Sequence, residues 1–150
     1  MIPTSGVPGG DRHLQDLTES EALALLVQAP FGRVVFTDRA LPMIRTVNHL
    51  VDDGEIVIRT RLETRVAAAL QDLDTDATVV AYQVDDIDPS TRLGWSVVAT
   101  GVARPITDPS RISRYRETLR PWVNRDSDVV IGIQPQIITG IRLIEADHEG

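Results

Sequence analysis

Residues 31–60 read FGRVVFTDRALPMIRTVNHLVDDGEIVIRT, and this stretch decides the fold class. Residues 31–37 are β-branched and aromatic, a strand signature, and residues 38–42 supply a turn that ends in Pro42. A second run over 43–51 is closed by Asp52-Asp53-Gly54, and residues 55–60 return. Asp-Gly between two apolar runs is a strong signal for a tight hairpin, because both central residues of such a turn need positive φ. Three antiparallel strands in a meander follow.

Toward the N-terminus, residues 1–17 read as a loose tail broken by Pro3, Pro8 and Gly9-Gly10. Order is expected from Thr18. Thr18 and Glu21 have capping-box spacing, and Leu23, Leu26 and Val27 share one face of a short helix that Pro30 ends. Toward the C-terminus, residues 63–73 predict a helix with Val66, Ala69, Leu70 and Leu73 on one face. Residues 77–84 predict a strand, 85–94 an acidic loop, and 95–106 a long strand with a bulge or bend at Gly101. Asp108 before Pro109 is an N-cap with proline at the first helical position, and that helix runs to about Leu119. Two closing strands, 129–133 and 137–144, flank Gln134-Pro135, and 146–150 form a short tail. Grouped strands with two or three small helices predict a mainly β fold, a closed antiparallel barrel in one domain over 18–145.

Composition narrows the function classes. Of 150 residues 42% are apolar but only 4% aromatic, so the core is built from Val, Ile, Leu and Ala. A net charge of −7 disfavours nucleic acid or an anionic membrane as the main partner. All 15 basic residues are Arg, so any phosphate is held by guanidinium forks or backbone N–H groups. Absence of Cys removes disulfides and thiolate chemistry. Without an apolar segment of spanning length or a signal-like N-terminus, a cytoplasmic location is expected.

Familiar catalytic signatures are missing: there is no Walker loop, GxGxxG, HExxH or GxSxG, and His13, His49 and His148 lie far apart. What stands out is a polar run inside an apolar strand, Arg45-Thr46-Val47-Asn48-His49. Alternation sets Thr46 and Asn48 on one face and Arg45, Val47 and His49 on the other. Polar groups wholly in a core would be costly without partners, so the strand either lines a polar ligand or shows one face to solvent or a second subunit. His49 is a weak candidate for a ring or substrate contact, against a structural role. Arg59-Thr60 end the third strand, and Arg65 falls in the first turn of the next helix, where the dipole prefers acid. An anion at that junction explains both arginines; surface pairing with Glu63 or Asp72 is the alternative. Trp95 and Ser96 open the long strand and either border a flat ring or fill core and interface.

The succession Phe31-Gly32-Arg33-Val34, Thr46-Val47-Asn48-His49, Ile58-Arg59-Thr60, Gly94-Trp95-Ser96-Val97-Val98-Ala99-Thr100-Gly101 and Arg120-Pro121-Trp122 resembles the pyridoxamine 5′-phosphate oxidase-like split barrels. It is most similar to their small flavin-binding or nitroimidazole-resistance-like members, over about Leu17 to Ile144. The resemblance implies a six- to eight-stranded split barrel, a homodimer with flavin sites at the subunit interface. It implies that Arg45, Thr46, Val47 and Asn48 run beside an isoalloxazine ring, with backbone groups at its polar edge. Arg59, Thr60 and Arg65 would hold the FMN phosphate, and Trp95 and Ser96 would close the site from the facing subunit. The segment Leu62-Glu63-Thr64-Arg65 departs from the Gly-Ser/His-x-Lys character of relatives. The implied activity is an FMN-dependent oxidoreductase acting on a small organic substrate. Alternatives on the same fold are an FAD- or deazaflavin-dependent reductase, or a flavin- or haem-binding barrel without turnover.

Overall fold

The computed structural model describes residues 12–38, 40–61, 78–119 and 128–146. Within these residues, seven strands and two helices follow in the order β1 (Arg12–Asp16), α1 (Glu19–Gln28), β2 (Phe31–Asp38), β3 (Leu41–Asp52), β4 (Glu55–Arg61), β5 (Thr78–Ile87), β6 (Gly94–Pro105), α2 (Pro109–Thr118) and β7 (Asp128–Glu145). The helix expected over 63–73, with Arg65, lies outside the described residues, as do Arg120 and Trp122. Neither described helix is long and apolar enough to cross a membrane.

The 31–60 meander forms as its sequence demands. Asp53 and Gly54 both take positive φ, 51° and 78°, and Asp52 pairs with Glu55 across the turn. β3 pairs with β2 and β4, β2 continues to β5, β5 to β6, and β6 to β7. β7 then pairs with β4, so β7-β4-β3-β2-β5-β6 close into an antiparallel ring with β1 added on β7. Closure removes the unpaired edges that an open sheet of this size would expose.

Three local expectations are corrected. Residues 12–16, assigned to the loose tail, form β1 on the C-terminal half of β7; Pro and Gly upstream gave no sign of that pairing. The two closing strands are one strand of 18 residues. Thr100 pairs with Ile137 and Gly101 with Pro135, so Gln136 is the extra residue of a bulge, and β7 bends there without ending. Gly101 permits the bend, since a Cβ at that position would lie 2.0 Å from the Gln134 carbonyl oxygen. The bulge flips the parity of β7: Ile133 is buried before it, whereas Ile137 is exposed and Ile138 packs on the core after it. In α1 the capping box forms, but Ala22 and Leu26 are the buried pair, and Val27 is exposed. The stripe through Ala22, Leu25, Leu26 and Ala29 has the i, i+3, i+4, i+7 spacing and packs on the core in place of a face through Leu23 and Val27.

Two cores result. The barrel interior is filled by small branched residues of every ring strand, including Val34, Val47, Ile58, Val84, Val97 and Ile131, with Ala22 and Leu26 from α1. A second cluster lies outside the ring, where Val57 and Val130 of β4 and β7 are covered by Tyr115 and Leu119. Polar contacts latch α2 there. The Tyr115 hydroxyl donates to Asp52 Oδ2 at 2.5 Å, Arg114 donates to the same oxygen at 2.9 Å, and Arg111 donates to Glu55 Oε1. Those carboxylates flank the β3–β4 turn, so one hairpin supplies both anchors. The phenol oxygen beside Arg111 and Arg114 also keeps both guanidinium groups firmly charged.

Candidate functional site

Period-2 alternation divides the candidate residues between the two faces of the ring. Val47 and His49 of β3, Thr60 of β4 and the partly buried Trp95 of β6 lie on the inner side, and Arg45 shares their side but is exposed in the first half of β3. Thr46, Asn48, Arg59 and Ser96 lie on the outer side, none of them fully buried.

The inner group is closed on itself. His49 is 7% exposed and engages both ring nitrogens: Nε2 donates to the Leu26 carbonyl at 2.8 Å, and Nδ1 lies 2.6 Å from the Tyr82 hydroxyl. A carbonyl only accepts, so Nε2 carries the proton, and Nδ1 accepts from Tyr82. The geometry thus gives His49 a structural position inside the barrel and ties α1 to β3 and β5. Burial pushes its pKa below the ordinary 6.5, partly opposed by the Leu26 carbonyl, and burial pushes the Tyr82 phenol well upward. Gly32 makes room for this pair, because a Cβ there would lie 2.7 Å from both the Tyr82 ring and the Gln83 carbonyl oxygen.

The outer side is different. Register aligns Ile44, Val35, Ala81, Thr100 and Ile137 in one row across β3, β2, β5, β6 and β7. Ile44 and Ile137 are 64% and 61% exposed, unusual for isoleucines on a sheet face. The next row runs Thr46, Arg33, Gln83, Val98, Thr139, and it carries a polar network. Arg33 Nη1 donates to Gln83 Oε1 at 3.1 Å, while Gln83 Nε2 donates to Asp85 Oδ2 at 2.7 Å and to Ser96 Oγ at 3.2 Å. Arg33 also lies 3.7 Å from Asp85. One row further, Phe31 pairs with Asn48, and the β3–β4 ladder ends next to it at His49 and Ile58, the residue before Arg59.

Arg59 marks the border between this open side and α2. Its Nη1 donates to the Leu119 carbonyl at 3.0 Å and to Arg116 at 3.4 Å, a cation at a helix C-terminus as the dipole favours. Thr60 beside it is buried.

The structure therefore brings Thr46, Asn48, Ser96 and Arg59 to one surface, and turns Val47, His49, Thr60 and Trp95 away from it. Arg33 and Gln83 join the surface without having been singled out from the sequence. Their signal was present: each is a polar residue at an outward position of an otherwise apolar alternating strand, as Thr46 and Asn48 are in β3.

A family model and one similar solved structure carry the same family description. A family model described as pyridoxamine 5′-phosphate oxidase matches residues 18–142. A Mycobacterium tuberculosis protein named only as uncharacterized is 48% identical over 137 residues, 91% of this chain and 90% of that one. A Corynebacterium glutamicum crystal structure, described as a candidate pyridoxamine 5′-phosphate oxidase, superposes with a TM-score of 0.73 at 29% identity, covering 93% of this chain and 100% of the other. The structure of an FAD-binding protein from Mycobacterium smegmatis superposes with a TM-score of 0.64 at 25% identity, covering 87% and 98%.

Proposed function

The chain belongs to the pyridoxamine 5′-phosphate oxidase family, and from that premise we propose that it binds a flavin on the outer wall of the barrel and serves as an oxidoreductase for a small organic substrate. The observation that carries this reading is the exposed outer face, where an apolar row through Ile44 and Ile137 lies beside the Arg33–Gln83–Ser96 network. A flavin ring needs this combination: flat apolar surface for its faces and hydrogen-bonding groups for its polar edge. Thr46, Asn48 and Ser96 would hold that edge together with the backbone of residues 45–48. Arg59 would turn from the α2 carbonyls to the phosphate, with Arg65 as a second cation. A bound flavin supplies hydride and electron transfer; the chain's own residues orient the ring and screen one of its faces from water.

An exposed row of this kind is also what a second copy would cover. We therefore expect a homodimer paired through the Ile44–Val35–Ala81–Ile137 row, with each subunit completing the site of the other. Size-exclusion chromatography with light scattering should give twice the chain mass, and a monomer at micromolar concentration would remove the interfacial site.

FMN is the first choice of cofactor, and FAD is the second reading, favoured by the flavin named for the Mycobacterium smegmatis relative. Fluorescence titration with riboflavin, FMN and FAD separates them. Arg59→Ala should weaken FMN binding by about 10- to 100-fold, the value of a charge-assisted hydrogen bond, and leave riboflavin unchanged. Equal loss for both ligands would remove Arg59 from the phosphate site.

A further inference from the structure

Directly behind the outer wall, on the inner side of β3, lies the hydrogen-bonded pair His49 and Tyr82. The Tyr82 hydroxyl has two acceptors within reach, His49 Nδ1 at 2.6 Å and the Val47 carbonyl at 3.4 Å. One hydroxyl proton serves one acceptor well, and with neutral His49 the shorter contact takes it. We propose that His49 and Tyr82 form a two-position hydrogen-bond switch that couples proton uptake in the barrel to the Val47–Asn48 peptide of β3. When His49 is protonated, Nδ1 becomes a donor to the Tyr82 oxygen, and the hydroxyl proton turns to the Val47 carbonyl. Nε2 keeps the Leu26 carbonyl in both positions.

Every polar atom of the pair is satisfied in either state, which is what distinguishes a switch from a merely buried histidine. A histidine with apolar neighbours alone would expel the second proton or unfold the site on accepting it. Here the acceptor is already in place, in space that Gly32 leaves open. Core groups from the surrounding elements are Ala22 and Leu26 of α1, Val34 of β2, Ile56 and Ile58 of β4, and Val84 beside Tyr82 on β5. None is ionisable, so Tyr82 is the titratable partner among the described core residues. Charged residues on those elements are engaged or directed elsewhere: Arg33 and Asp85 pair on the outer side, Arg59 of β4 donates to the end of α2, Glu21 caps the start of α1, and Arg45 is exposed in the first half of β3. The switch stands on this geometry alone. Only its consequence, a proton-dependent change in the wall of the cofactor site, rests on the proposed function.

The test needs no cofactor. In the labelled full chain, His49 ring nitrogens, the Val47 carbonyl carbon and the Asn48 amide are followed by NMR from pH 8 downward. The expected result is that His49 titrates in the folded protein below the ordinary histidine range, and that the Val47 and Asn48 resonances move with the same midpoint. In Tyr82→Phe the His49 midpoint should fall by about one pH unit, for want of an acceptor for Nδ1–H, and the Val47 response should vanish. A Val47–Asn48 peptide that stays silent while His49 titrates overturns the switch, as does a His49 that never titrates before acid unfolding. Both of these readings come from the unsubstituted chain, so they decide the matter even if Tyr82→Phe does not fold. Failure here would leave flavin binding intact, and failure of flavin binding would leave these titrations unchanged.

Discussion

His49 and Asn48 are neighbours in sequence, yet they stand on opposite sides of one sheet and in opposite chemical situations. On the inner side, His49, Tyr82 and the Leu26 carbonyl form a chain with every hydrogen bond made within the protein. On the outer side, Thr46, Asn48, Arg33, Gln83 and Ser96 form a partly exposed polar strip bordered by exposed isoleucines. Both sets look the same in a list of polar residues in strands. The difference is closure. The inner pair is sealed from water, whereas the outer strip, although hydrogen-bonded within itself, stays partly open beside exposed apolar surface, a pattern typical of interaction surfaces.

If the inner side is a closed structural unit, substitutions there should act on stability. The largest effect is expected for Gly32→Val, whose side chain would collide with the Tyr82 ring and with the immobile Gln83 carbonyl. A loss of about 3 kcal/mol in urea denaturation is expected, and a loss below about 1 kcal/mol would mean that the pair is loosely packed. Tyr115→Phe, in the buried cluster outside the ring, comes next. It deletes the hydrogen bond to Asp52 in the α2 latch and keeps the ring that Arg111 and Arg114 cover. About 2 kcal/mol should be lost, with flavin affinity preserved.

A smaller effect is expected from acid. His49 has its folded pKa depressed by burial, so between 6.5 and that lower value the unfolded chain binds the extra proton and the folded chain does not. Stability is therefore complete above pH 6.5 and declines as pH falls through this window. His49→Gln should flatten that part of the stability–pH curve, whereas an unchanged slope would assign it to the carboxylates. The smallest effect on stability belongs to the outer side. Thr46→Ala should change it by no more than about 0.5 kcal/mol, as is usual for exposed substitutions, while weakening flavin binding severalfold. A large stability loss there would blur the distinction between the two sides.

Much of this was legible in residues 31–60, because turn chemistry and alternation are local properties. The Asp53-Gly54 hairpin and the Thr18–Glu21 capping box form where their sequences place them. What failed was decided by tertiary context. Nothing between Arg12 and Asp16 announces a strand until β7 offers it an edge. Gln134-Pro135 reads as a break, and becomes a bulge only because Gly101 across the ladder lets the backbones approach. For the site, the polar run of β3 was visible, but His49 could not be separated from Asn48 in function until α1 and β5 were in place. Arg33 and Gln83 were missed because each stands alone between non-ionisable neighbours in its own strand, and only the register brings the two together.

Flavin binding on the outer side of β2, β3, β5 and β6 is the proposal on which the oxidoreductase role depends. It is tested most directly by titrating FMN into the protein and into Thr46→Arg while following flavin fluorescence and the visible spectrum. Thr46 is exposed, so the substitution leaves folding intact and places a long side chain on the proposed surface. Quenched fluorescence and a shifted flavin spectrum are expected for the unsubstituted chain, and loss of both for the variant. Failure of the unsubstituted chain to perturb FMN, FAD or riboflavin, or equally tight binding by Thr46→Arg, would contradict it.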